Sequence, residues 1–217
     1  MAYRKLLRAI SAVALTWLLA GCAERSVRDD FSFDKAKNEG IVIVSASHDE
    51  SGGRRVQAEF YLDKSTMHMI SSLPDVVPGI PGGSDFDNDY GKVYVLSLPA
   101  GRHEFSSWHF VSGTVIVGPK EKPTPLSFDV VANQVKYLGN LHAHLLMGEN
   151  IFGISILGSG YPVVRDEGER DLAIVAEKYP QLKDKVTIDL LKRGPWISSW
   201  ETTRDVITLP PPVPIRK

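Results

Sequence analysis

Apolar and polar positions alternate over short windows along most of the chain, at the period expected of strands rather than helices. Ile41-Val42-Ile43-Val44 is a β-branched run suited to a buried strand. From Val56 to Leu62 the alternation places Val56, Ala58 and Phe60 on one side and Gln57, Glu59 and Tyr61 on the other. Lys92 to Leu98 and Arg102 to Val111 read as two more strands. Between them Pro99-Ala100-Gly101 has the residues of a type II turn, so the pair is expected to form a β-hairpin. Thr114 to Val117, Leu126 to Val131, Val135 to Leu145 and Ile151 to Leu157 complete the set, and Gly158-Ser159-Gly160 reads as a turn. In the longest strand Val135, Tyr137, Leu141, Ala143 and Leu145 are expected to share one face. Many short strands separated by Gly and Pro predict a mainly β fold, an antiparallel β-sandwich.

The period changes once. Leu172, Val175, Ala176 and Tyr179 recur at helical spacing and Pro180 ends the run, so one C-terminal helix is expected to lay its apolar stripe on the β core. Asp166 and Glu169 have the spacing of a capping box at its start. Gln181 to Lys192 fits helix or strand equally. The segment Ser71 to Gly91, rich in Pro, Gly and Asp, reads as a long loop, either functional or without fixed structure.

At the N-terminus, Arg4, Lys5 and Arg8 precede a run from Ala9 to Ala20 in which only Ser11 and Thr16 are polar. As a helix those residues would span roughly 18 Å against a hydrocarbon core of about 30 Å, which disfavours a transmembrane segment. The run ends in Leu19-Ala20-Gly21-Cys22. Basic residues, short apolar run and this box together resemble a bacterial lipoprotein signal. The resemblance implies cleavage before Cys22, a diacylglyceryl thioether on Cys22 and usually an acylated amine. Ala23, where an Asp would favour inner-membrane retention, implies delivery to the outer membrane. The organisation expected is a signal peptide over 1–21, a tether over 22–39, a domain over 40–200 and a Pro-rich tail over 201–217. Phe31 and Phe33 leave open an edge strand within the tether.

Cys22 is the only cysteine, so lipidation would leave no thiol for a disulfide or a thiolate metal site. Without the leader and its three bases, 196 residues would remain with 22 basic and 26 acidic side chains, a net charge of −4. That length can bury a core without cross-links. The balance gives no footprint for nucleic acid. The partners expected are the membrane, through the N-terminal lipid, and envelope proteins.

Three further stretches carry a second resemblance: Leu98-Pro99-Ala100-Gly101-Arg102, Asn133 to Gly139 with its Val-Lys-Tyr-Leu-Gly, and Asp171-Leu172 leading to Tyr179-Pro180. Through them, Val93 to Tyr179 resembles small uncharacterised lipoproteins with a transthyretin-like or carboxypeptidase-regulatory-like β-sandwich. The resemblance implies a fold, and a role in display or adhesion rather than catalysis.

Three clusters invite metal chemistry. His142 and His144 alternate onto one face of a strand, with His103 and His109 on a strand that could lie near. Lys136 and Asn140 fall on the same face as the His pair, which reads as solvated. Met67-His68-Met69 and Met147 offer soft ligands suited to copper. Asp85, Asp87 and Asp89 alternate as in a calcium loop, but Gly91 is at position seven and Leu96 at twelve, which excludes an EF-hand. A copper-, zinc- or calcium-binding lipoprotein is therefore the alternative function. No nucleophile motif, glycine-rich phosphate loop or P-loop occurs. The expectation is no catalytic residue, cofactor or resident metal, with Cys22 the only modified position.

Overall fold

The computed structural model describes residues 26–27, 38–51, 55–63, 68–73 and 83–197. The leader, Cys22, Phe31, Phe33, Met67, Trp200 and the Pro-rich tail lie outside the described residues, as do the side chains of His68 and Met69. Among the described residues the chain is mainly β, a sandwich of two sheets with one helix on its outside.

The first sheet contains β1 (Glu39–His48), β4 (Tyr90–Pro99), β8 (Val135–Glu149), β9 (Ser155–Arg165) and the short β10 (Val186–Ile188) and β11 (Gly194–Pro195). Its order is β11-β9-β8-β1-β4, with β10 also on β8. The second sheet contains β2 (Gln57–Leu62), β3 (His68–Ser71), β5 (Gly101–Ser112), β6 (Val115–Val117) and β7 (Leu126–Val130), in the order β3-β2-β5-β6 with β7 also on β5. Most pairs are antiparallel, but β1 and β10 both run parallel to β8. Phe60, Phe105, Phe110, Val44 and Leu141 fill the space between the sheets, all at or below 1% exposure.

Several local expectations are corrected. The strands flanking Pro99-Ala100-Gly101 do not pair: β4 belongs to the first sheet and β5 to the second, so the turn carries the chain across the sandwich. Gly101 there takes φ +142°, and Ala100 N donates to Asn38 O. Ile151 to Ile154 form a turn rather than a strand, and Gly158-Ser159-Gly160 lie within β9. A side chain at 160 would press within 2.7 Å of His144 O, which explains a glycine in mid-strand.

A further correction concerns β8. Ile43 pairs with Tyr137, but Ser45 pairs with Asn140, so Val44 opposes two residues, Leu138 and Gly139. Gly139 takes φ +105°, and a Cβ there would sit 2.8 Å from Arg165 O. This bulge reverses the parity of the strand. Val135 and Tyr137 face the helix, whereas Leu138, Leu141, Ala143 and Leu145 face the other sheet.

The helix α1 (Gly168–Lys178) is followed by a 3-10 turn, Pro180–Leu182. Val175 and Tyr179 pack with Leu182 on Ile41, Ile43, Val95 and Tyr137 as a second, smaller core. The expected capping box does not form: Glu167 is the N-cap residue without a side-chain cap, and Asp166 Oδ1 accepts only from Gly168 N at 3.3 Å. Ser26 and Val27 lie on the free edge of β4, where Val27 N donates to Val95 O and Val95 N donates to Ser26 Oγ.

Candidate functional site: a buried polar chain and an exposed apolar turn

Past the bulge, the helix-facing side of β1 and β8 turns from apolar to polar. Strand alternation puts Ser45 and Ser47 on the same face as Ile41 and Ile43, with Asp49 next in line. The Gly139 bulge puts Asn140, His142 and His144 beside them. Asn140 and His142 are fully buried, so this face is not the solvated side that unbroken alternation implies.

The side chains form one continuous hydrogen-bonded chain. Tyr137 Oη and Ser45 Oγ donate to Asp171 Oδ2 of α1, at 2.8 and 2.5 Å. Asn140 Nδ2 donates to Ser45 Oγ at 2.7 Å. Ser47 Oγ lies 3.1 Å from Asn140 Oδ1 and 2.8 Å from His142 Nδ1. His142 Nε2 meets Asp49 Oδ1 at 2.8 Å, and Asp49 Oδ2 meets His144 Nδ1 at 2.7 Å. From the helix, Arg170 pairs with Asp171 and with Asp89, and its guanidinium lies 3.7 Å from the centre of the Phe86 ring. Beside this chain the buried His48 bonds Ser72 Oγ at 2.8 Å and stacks on Tyr90.

Counting protons shows how this chain responds to charge. A hydroxyl donates once. With His142 neutral and its Nε2 proton on Asp49, Ser47 donates to Nδ1 and Asn140 Oδ1 is left short. With His142 doubly protonated, Nδ1 donates to Ser47 and every bond then runs one way, through Asn140 and Ser45 to Asp171. Only the Ser47 hydroxyl has to rotate. Burial, then Arg165, lowers the His142 pKa despite the Asp49 contact, so the neutral form is the resting one. Burial, then His142, pushes His48 down to about 4. Burial works against the Asp49 carboxylate, yet the bonds from His142 and Leu145 N–H outweigh it and lower its pKa. Asp171 is raised by burial, with Ser45, Arg170 and Tyr137 opposing.

Ser47, His142 and Asp49 follow the contact order of nucleophile, base and orienting carboxylate. The geometry around them is closed. Ser47 and His142 have no exposed surface, and both ring nitrogens are engaged within the chain. The side chains occupy the space that a substrate carbonyl would need, about 3 Å from the hydroxyl.

The metal candidates are dispersed. His142 and His144 are brought together only through Asp49, while His103 and His109 lie on β5 of the other sheet. His103 bonds Asp63 and Pro99 O, and His109 contacts Tyr61. Asp85 accepts from Lys92, Lys178 and Val93 N, and Asp89 pairs with Arg170, so the aspartates of this loop diverge onto separate cations. Among the described residues, no three of His, Cys, Asp and Glu converge to hold a metal ion.

The other unusual feature is at the far end of the β8–β9 hairpin. Glu149 pairs with Ser155, and Asn150 to Ile154 close the turn. Asn150 Oδ1 accepts from Phe152 N and Ile154 N at 2.9 and 3.0 Å, and Asn150 O accepts from Gly153 N. Asn150 N in turn donates to Ile154 O, and Gly153 supplies the left-handed φ of +68°. This framework holds Ile151 and Phe152 outward, 93% and 78% exposed. Leu146 and Ile154 are exposed on the same hairpin end.

The chain matches no protein-family model, no curated protein and no solved structure. Neither the buried chain nor the turn stood out in the sequence. Their signals were the alternating Ser45, Ser47 and Asp49, and an Asn150-to-Gly153 turn that encloses two large apolar residues.

Proposed function

We propose that this is a lipid-anchored protein of the bacterial cell envelope, held through Cys22, whose β-sandwich binds or displays rather than catalyses. The observation that carries the reading is the Asn150–Ile154 turn. Large apolar side chains held outward on a turn braced by Asn150 are a surface built to be covered. The closed Ser47–His142–Asp49 contacts support the same reading, since Ser47 and His142 have no exposed surface and leave no opening for substrate. The lipoprotein-like leader supports the anchor, and the absence of Asp at position 23 supports the outer membrane as its place.

Three measurements test this. Wild-type protein is expected in the membrane fraction with an acylated N-terminal Cys22, and Cys22→Ser as unprocessed or soluble material. A free thiol on the exported chain overturns the anchor. A photo-crosslinker at position 152 in intact cells is expected to give a defined adduct, and none at 127 on β7. Equal labelling at both overturns the binding surface. Titration with Cu(I), Zn²⁺ and Ca²⁺ is expected to be silent, because Asp49 already engages both imidazoles; binding through His142 and His144 would favour the metal reading instead.

A further inference from the structure

We infer that the Asn150–Ile154 turn is a membrane-insertion element, and that its partner is the lipid bilayer itself. The inference rests on the proposed lipid anchor, which would hold the turn near a membrane, and it deepens that reading by naming what covers the apolar surface.

Three observations favour lipid over a protein groove. First, four of the turn's five backbone N–H groups, all but that of Ile151, are satisfied from within. Asn150 takes three of its N–H groups, those of Phe152, Gly153 and Ile154, and donates its own to Ile154 O. An N–H that carries its partner with it enters hydrocarbon without the penalty that an open loop meets. Second, charge is nearly absent. From Leu145 to Gly160 the only charged side chain is Glu149, at the base of the turn. Third, Ile151 and Phe152 are the most exposed large apolar residues described and sit at the closed end of the two-stranded β8–β9 hairpin, a placement that enters a soft surface without requiring a matching cavity.

The size of the element fits a secondary contact. Two inserted side chains give weak, reversible partitioning, which becomes effective when a lipid chain already confines the domain to the surface. The geometry also constrains orientation. Ser26 and Val27 sit on β4 opposite Val95, and Cys22 is four residues earlier, within about 14 Å of chain. Tyr137, at the level of Val95 across β1, is fourteen residues from Ile151, roughly 46 Å along the strand. For the anchor and the turn to reach one bilayer, the hairpin must lie along the membrane rather than stand on it.

The test uses the full chain with a single introduced cysteine carrying an environment-sensitive fluorophore, at Phe152 or at the exposed Ser127 of β7 on the other sheet. Lipidated protein is reconstituted into protein-free phosphatidylethanolamine/phosphatidylcholine vesicles, with and without spin-labelled lipid. The probe at 152 is expected to shift to the blue and be quenched by the spin label, and the probe at 127 to remain in water. In parallel, the Cys22→Ser chain is mixed with the same vesicles. Weak partitioning is expected, and it should fall about tenfold or more in Ile151→Ser/Phe152→Ser. If lipidated protein floats with the vesicles while the probe at 152 stays wet, the insertion proposal fails and the anchor stands. If the chain is not lipidated, the anchor reading fails, and partitioning of the Cys22→Ser chain still decides the turn. A blue shift that needs envelope proteins and is absent with lipid alone assigns the turn to a protein partner and overturns the inference.

Discussion

The β8–β9 hairpin inverts the usual distribution of side chains along its own length. In the middle of β8, Asn140 and His142 are polar and completely buried; Leu146, about 13 Å further on, and Ile151 and Phe152, about 30 Å on, are apolar and exposed. Both regions are locally well ordered by hydrogen bonds, but to opposite ends. In the buried region the bonds satisfy side chains that burial would otherwise penalise, and they tie α1 to the sheet through Asp171. In the turn they brace the backbone on Asn150 so that Ile151 and Phe152 stay exposed. The first region is therefore costly to change and has no open surface. The second can be changed at little cost to the fold, and it carries the surface.

The sharpest way to break the contrast is Asp171→Ala, which leaves Ser45, Tyr137 and Arg170 without their shared acceptor. Chemical denaturation should show a loss of about 3–5 kcal/mol; a change within 1 kcal/mol would mean that the chain of contacts does not hold the helix.

Acid acts on the same region. Below pH 6.5 the unfolded chain protonates its histidines while the folded chain resists at His48 and His142, so the unfolded state binds more protons and stability falls as pH drops. His48, pushed down to about 4, accounts for about 3 kcal/mol between pH 6.5 and 4. Denaturation midpoints across that window should decline in the wild type and decline less in His48→Phe. A flat wild-type profile would contradict this.

Gly139→Ala tests the bulge that makes the face polar. The positive φ and the 2.8 Å approach to Arg165 O predict a loss of about 2–3 kcal/mol. The effect should be felt in the chemical shifts of His142 and not in those of the turn.

The smallest effect belongs to the turn: Ile151→Ser and Phe152→Ser should leave stability within about 0.5 kcal/mol of wild type. A large destabilisation would show that these residues pack on the fold after all.

Much of the architecture was legible as alternation. The strands around Val42, Phe60, Leu96 and Phe110, and the helix through Val175 and Tyr179, follow from residues whose burial is set by their own side chains. The errors cluster where the backbone departs from its simple period. One extra residue at Gly139 reverses which face His142 occupies, and nothing local distinguishes that glycine from a strand residue. Pro99-Ala100-Gly101 has the composition of a hairpin turn, yet the chain there changes sheets, because composition specifies a bend and not the partner of the next strand.

Periodicity and residue type by themselves determined that this protein is a β-sandwich with a helix after its last long strand, because hydrophobic burial needs only the right residues at the right spacing. They also set out the basic, apolar and Leu-Ala-Gly-Cys segment that is the ground for an envelope address. Only the tertiary structure decided that Ser45, Ser47, Asp49, Asn140, His142 and Asp171 meet, and that Ile151 and Phe152 do not find the core. Hydrogen bonds are directional and join residues as far apart as Ser45 and Asp171, 126 positions, so which groups are paired and which surfaces stay bare depends on how the strands register, not on the order in which they are written.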